Sequence, residues 1–251
     1  MKNVHSILIM FLSVMIGCGK NNQPANEIST VDVTAKYPYK ELILQDFMDV
    51  EYIPLETTDE FLCMGSLWGV GKDVIVATNF NSDGNIFIFD RKGKALKKIN
   101  RKGQGNEEYS SYSRIILDEE KREIFVNNSF AKKIQVYDLE GNFKRDLPIQ
   151  KELSLFEMYN FDKDNLICHD DFPKNTGQSF MLISKQDGSI TQEITIPFKE
   201  KKSIYVRVED KTVEGQYFVY SPQCKHPIMP YYNSYILTEY SADTLYQYLS
   251  D

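Results

Sequence analysis

Cys168-His169-Asp170-Asp171 is the stretch whose residue types come nearest to a reactive centre. A thiol, an imidazole and two carboxylates are the donors of a zinc site or the parts of an activated thiol nucleophile. The spacing works against both readings. Asn165–His169 reads as a strand, neighbours on a strand point to opposite faces, and four consecutive side chains therefore do not converge on one ion. Asp118 and Asp162 fall near equivalent strand ends, as ligands of a shared cation would, but polar hairpin turns account for them better. Behind the N-terminal segment two histidines remain, His169 and His226, and they do not recur at matching positions. The chain has no Gly-x-Ser-x-Gly, no phosphate-binding Gly-rich loop and no His-Glu-x-x-His. No catalytic residue, no metal ligand and no cofactor is assigned on this reading.

Any site must be positioned by a repeat. Ile86-Phe87-Ile88-Phe89-Asp90-Arg91-Lys92-Gly93 returns 48 residues on, at Ile134-Gln135-Val136-Tyr137-Asp138-Leu139-Glu140-Gly141. A blurred third copy occupies Phe180-Met181-Leu182-Ile183-Ser184-Lys185-Gln186-Asp187-Gly188. Strand, Gly turn and strand at a period of about 40–50 residues mark propeller blades, so the fold class is all-β, a β-propeller of four-stranded antiparallel meanders. The first unit reads 66–70, 73–78, 85–90 and 95–99, the second 114–118, 123–127, 133–138 and 143–147, and the third 157–161, 165–169, 179–184 and 190–194. In the fourth, Phe125-Val126 aligns with Ile236-Leu237 and Ile134–Tyr137 with Leu245–Tyr248, which leaves its outer strand unaccounted for. A ring of about four blades buries its faces only if it closes. Thr30–Ala35 and Val50–Leu55 are candidates for that outer strand, and the alternative is an open arc of a larger ring.

Composition narrows the class. With 42% hydrophobic and 13% aromatic residues the chain supports a well-buried domain, and its net charge of −7 argues against nucleic acid as the partner. The basic run from Arg91 to Lys102 reads as a solvated outer strand whose charges discourage edge pairing. Residues 1–17 read as an export signal, with Lys2 ahead of an apolar run at 7–16 that is too short to span a bilayer. Met15-Ile16-Gly17-Cys18 resembles a bacterial lipobox, which makes Cys18 the lipidation site and a membrane the partner of the anchor. Residues 18–29 are a polar tether, and 30–251 the propeller domain. The expected location is the outer membrane, lipid-anchored, on the periplasmic side, with the cell surface as the alternative. Cys63, Cys168 and Cys224 show no CxxC spacing, and buried free thiols are expected rather than a disulfide scaffold.

Val50-Glu51-Tyr52-Ile53-Pro54-Leu55-Glu56-Thr57-Thr58, Lys102-Gly103-Gln104-Gly105-Asn106-Glu107-Glu108-Tyr109 and Ser241-Ala242-Asp243-Thr244-Leu245-Tyr246 carry a further signal. Together they resemble the six-bladed β-propeller lipoproteins of Bacteroidetes, a family of unknown function akin to NHL-type propellers. The resemblance implies a six-bladed ring, here C-terminally shortened by about two blades. It implies no common reaction. The leading function is a non-enzymatic binding or interaction module for a glycan, peptide or protein. The alternative is a metal-dependent lactonase- or lyase-like enzyme with a channel-bound Ca²⁺ or Zn²⁺. In the Gly103-Gln104-Gly105 loop, Arg101, Gln104, Glu108 and Tyr109 are candidates for ligand contact at the channel rim; the plainer reading is a tight turn between blades with Tyr109 packed on a neighbour. The tyrosines of the last quarter offer amphipathic surface for a sugar or protein, or simply pack the blades.

Overall fold

A computed structural model describes residues 34–79, 83–171, 179–198, 200, 202, 206–209, 212, 216–220 and 226–249. Cys18, the export signal, the tether and Cys224 lie outside the described residues, as do the first four residues of Thr30–Ala35. The chain divides into two units, Met1–Val50 and Glu51–Asp251. In the first, residues 34–49 are exposed and carry one 3-10 turn, Leu44–Asp46.

The second unit is all-β. The strands are β1 (Ser66–Val70), β2 (Val74–Thr78), β3 (Asn85–Asp90), β4 (Ala95–Asn100), β5 (Arg114–Asp118), β6 (Glu123–Asn128), β7 (Lys133–Asp138) and β8 (Phe143–Pro148). They continue as β9 (Leu155–Asn160), β10 (Asn165–Asp170), β11 (Phe180–Ser184), β12 (Ile190–Ile194), β13 (Val206–Glu209), β14 (Tyr217–Tyr220), β15 (Ile228–Tyr231), β16 (Ser234–Leu237) and β17 (Tyr246–Leu249). Three four-stranded antiparallel sheets, β1–β4, β5–β8 and β9–β12, are the three blades read from the repeat, and β15–β17 form a fourth sheet of three strands. The pair β13–β14 was not anticipated from the sequence.

The repeat is a turn device. At the end of β3 and β7 the carboxylates of Asp90 and Asp138 accept backbone N–H bonds, from Lys92 and Lys94 in the first case and from Glu140 and Asn142 in the second. Gly93 and Gly141 then supply φ of 83° and 87°, a region closed to most side chains. These turns also nest on what precedes them. A Cβ on Gly141 would meet Ile99 of β4, and one on Gly188 would meet the Pro148 carbonyl of β8. In the first blade the same place is taken by Pro54, whose carbonyl would lie 2.0 Å from a Cβ on Gly93.

That equivalence corrects the expected role of Val50–Leu55. The segment forms no strand in the fourth sheet; Ile53 and Leu55, with Phe61 and Cys63, cover Ile75, Ala77, Phe87 and Phe89 on the open face of the first blade. The Glu56 N–H donates to the Gly93 carbonyl, and the Glu56 carboxylate accepts from Ala95 N–H. Four aromatic and aliphatic side chains would otherwise lie wet on that face, and their burial is what holds the strap there.

Between blades the core is a series of apolar clusters. Val74, Val76, Ile86 and Ile88 pack on Ile115, Ile124 and Val126; Phe125 and Val136 on Met158, Leu166 and Cys168; and Ile167, Phe180 and Leu182 on Ile228 and Leu237. Cys63 and Cys168 are free thiols, and burial pushes the pKa of each upward.

Candidate ligand site in the channel

Strand register fixes which residues occupy equivalent places around the axis. Arg114 pairs with Asn127 and Glu157 with His169, and these partners fall at matching positions of the second strands of their blades. Arg114 and Glu157 are therefore equivalent residues of opposite charge on adjacent innermost strands, and they meet, with Nη1 to Oε1 and Nη2 to Oε2 both 3.4 Å. Arg114 Nε also donates to the Met158 carbonyl at 3.2 Å. The guanidinium carbon sits 4.5 Å from the Tyr159 ring centroid and 5.8 Å from that of Trp68, so the cation is held between blades by aromatic rings.

Trp68, Arg114 and Tyr159 border a cavity of about 470 Å³. Its walls come from β1 (Trp68 to Val70), β5 (Arg114 to Leu117), β9 (Met158 to Asn160) and Tyr235 of β16, so four sheets contribute. The volume falls in the range of small-ligand pockets. Trp68 is pinned by its indole N–H donating to Thr78 Oγ1 at 2.8 Å, with Tyr112 edge-on to it. Tyr235 donates its hydroxyl to the Asn160 carbonyl and lies against Tyr159 and Phe161. Burial, then the coulombic influence of Tyr159, pushes the Tyr235 phenol up to about 12. Burial likewise raises the Tyr159 phenol, with Arg114 pulling it back.

At one end the cavity is bordered by Lys72, Asp73, Glu119 and Glu120, of which Glu119 is committed to structure. Glu119, just after β5, accepts the backbone N–H groups of Lys72, Asp73 and Val74 in the turn of the preceding blade. Burial acts to raise its pKa, yet the amides of Asp73, Lys72 and Val74 outweigh it and hold the carboxyl below its ordinary value. Lys185 is buried, with Nζ 2.6 Å from Asp118 Oδ2 and a further bond to the Asp162 carbonyl.

The aspartates singled out in the sequence are explained by this frame. By register Asp118 corresponds to Gly71 and Phe161, while Asp162 corresponds to Glu119, so the two are one step out of equivalence. Asp118 is the counter-ion of Lys185, and Asp162 caps its own turn through the N–H groups of Asp164 and Asn165. In the Cys168–Asp171 stretch, His169 Nδ1 lies 3.2 Å from Asp171 Oδ1, Asp170 accepts from Ser154 N–H, and Cys168 is buried in the core between blades. Among the described residues no group of three His, Cys, Asp or Glu side chains is placed to hold a metal ion.

The loop candidates lie elsewhere. None of Arg101, Gln104, Glu108 and Tyr109 borders the cavity. Tyr109 is fully buried between the first two blades, its hydroxyl donating to the Gly84 carbonyl at 2.6 Å and accepting from Arg101 N–H. Burial pushes that phenol up to about 12. Arg101 Nε donates to the Gly141 carbonyl, and Glu108 accepts from Gly105 N–H to close the loop. Gln104 is exposed. The sequence reading missed Trp68, Arg114 and Tyr159. The one signal that pointed to them was an Arg and a Glu at matching repeat positions.

Fold and cavity define a β-propeller with a small-molecule-sized pocket at its axis. Residues 28–251 match the family described as Domain of unknown function (DUF4934), and the chain belongs to that family. No curated protein matches it. Its fold is similar to that of a candidate exported protein from Bacteroides fragilis, at 16% identity and a TM-score of 0.53, over 84% of this chain and 58% of that one. A member of the duf4221 family from Bacteroides vulgatus aligns at 13% identity and a TM-score of 0.44, over 74% of this chain and 58% of that one. Virginiamycin B lyase from Staphylococcus aureus aligns at 14% identity and a TM-score of 0.40, over 69% of this chain and 62% of that one. The chain thus spans less than two thirds of the length of these structures.

Proposed function

We propose that this protein is a non-enzymatic binding module of the cell envelope that takes its ligand in the axial cavity. The observation that carries the reading is the wall itself: Trp68, Tyr159 and Tyr235 come from three sheets to line one cavity, with the first two against Arg114. Of the acids nearby, Glu119 holds a turn and Asp118 a buried lysine, while Asp73 and Glu120 also border the cavity. Such a surface recognises and orients, and the residues described supply no paired nucleophile and base. Cys18 is the lipid attachment site, residues 18–29 the tether, and the outer membrane the location, with the periplasmic side favoured over the cell surface. The six-bladed ring of the resembling lipoproteins belongs to this proposal, since the strap at Ile53–Leu55 occupies the place that an outer strand holds in the other blades.

The chain holds a single tryptophan, and Trp68 borders the cavity. Its emission is therefore a built-in reporter. Titration of the mature protein with a panel of oligosaccharides and peptides, followed by Trp68 fluorescence and melting temperature, is expected to give a saturable shift with one class. Turnover of a bound compound, or stoichiometric Ca²⁺ or Zn²⁺ in the purified protein with activity lost on chelation, would overturn the reading.

A further inference from the structure

The charge balance at the cavity wall points to the chemistry of the ligand. Arg114 has five N–H donors. One goes to the Met158 carbonyl and one, from Nη1, to Glu157 Oε1, which leaves three N–H groups on a residue that borders the cavity. The cation is neutralised where it stands, because Glu157 faces it from the next blade with Tyr159 and Trp68 against the guanidinium plane. A carboxylate ligand would have to draw Arg114 away from Glu157. One oxygen of that glutamate is buried and has no hydrogen bond, with the Arg114 ion pair as its contact. Stranding it would cost the desolvation of a buried carboxylate.

Elsewhere in the protein the same residue pair is drawn tight: Arg145 and Glu123 meet at 2.8 and 2.7 Å as a bidentate fork. The looser 3.4 Å contacts of Arg114 leave its remaining donors free to bend toward neutral acceptor oxygens while the pair persists. Around those donors the wall is aromatic and aliphatic, with Trp68, Tyr159, Tyr235, Val70 and Leu117 suited to the C–H faces of a ring.

Resting on the binding-module reading above, we propose that the ligand is a neutral, hydroxyl-bearing saccharide, its oxygens on the N–H groups of Arg114 that Met158 and Glu157 leave uncommitted and its ring against the aromatic wall.

The test compares neutral oligosaccharides, their uronic-acid counterparts and neutral peptides by Trp68 emission and calorimetry, at low salt and at roughly physiological salt or above. Neutral sugars are expected to bind, with affinity insensitive to salt. Arg114→Lys, which keeps the charge and loses the fork, is expected to weaken them on the order of ten- to a hundred-fold, the scale of a lost charged hydrogen bond. Its melting temperature and circular dichroism check that it folds. Binding restricted to the acidic sugars, with a steep salt dependence, overturns the inference, as does peptide binding without sugar binding; the binding-module reading survives either. If no compound of any class moves Trp68 or the melting temperature, both fall together. The wild-type comparison stands even if Arg114→Lys fails to fold.

Discussion

Lys185→Ala is the sharpest test of how the blades are joined. Its ammonium is completely buried, 2.6 Å from Asp118, whose side chain is 3% exposed. Burial pulls the Lys185 pKa below its ordinary value, with Asp118 pulling it back. Removing the lysine leaves a buried carboxylate without its counter-ion, which costs about 3–5 kcal/mol. For a domain of this size that corresponds to roughly 6–20 °C in melting temperature. The repeat supplies the control. At the preceding junction the places of Asp118 and Lys185 are held by Gly71 and Leu139, an apolar solution to the same packing problem. Asp118→Ala combined with Lys185→Leu should recover most of the loss, since an apolar replacement of a buried pair is often neutral or better. Urea unfolding followed by Trp68 emission gives the midpoints for both singles and the double. A loss below about 1 kcal/mol for Lys185→Ala, or a double variant no more stable than the single, would refute the reasoning, because a desolvated pair must show both the penalty and the rescue.

Other outcomes follow from the same contacts. The Glu119 carboxyl is held below its ordinary pKa by three amides, so its contribution is fully present above the unfolded value near 4.3 and is lost as pH falls through the folded one. Unfolding midpoints between about pH 6 and 3 should therefore drop less steeply in Glu119→Gln than in the wild type; parallel curves would contradict the latch. Gly93→Ala places a Cβ 2.0 Å from the Pro54 carbonyl at a φ of 83°, and should free the strap, uncover Phe87 and Phe89 and raise dye binding to exposed apolar surface. Unchanged dye binding and stability would show that the strap does not depend on that contact. Cys168 should resist iodoacetamide in the native protein and react on unfolding, because burial holds its thiol protonated; rapid native labelling at Cys168, located by mass spectrometry, would contradict its placement in the core.

The blades were legible because their signal is local. Asp90-Arg91-Lys92-Gly93 and Asp138-Leu139-Glu140-Gly141 each carry the carboxylate that caps the turn and the glycine that permits it, so the repeat of residues is a repeat of hydrogen bonds. Strand bounds in the first three units agree to within a residue or two with those read from alternation. Val50–Leu55 was recognised as apolar and extended, but which sheet it serves depends on which face lies open, and that is decided by Phe87 and Phe89 in the folded blade. The pair β13–β14 lies between the third and fourth units of the repeat, where Val206-Arg207-Val208-Glu209 alternates but has no counterpart in the other units. Tyr109 illustrates the limit of motif reading: its loop looked like a binding rim, whereas its hydroxyl is consumed by Gly84 and Arg101. The cavity residues were hidden for the opposite reason. Trp68, Arg114, Tyr159 and Tyr235 share no motif, and the circular order of the sheets is what brings them to one space. Register alone could have exposed the Arg114 and Glu157 pair, given strand partners for Asn127 and His169.

The central claim is that the ligand enters the axial cavity, and the most direct test is a crystal structure of the mature protein with the compound that shifts Trp68 emission. Density enclosed by Trp68, Tyr159 and Tyr235, with a ligand oxygen within hydrogen-bond distance of Arg114, is the predicted result. Density on the loop of Arg101, Gln104 and Glu108 with the cavity unchanged would contradict it.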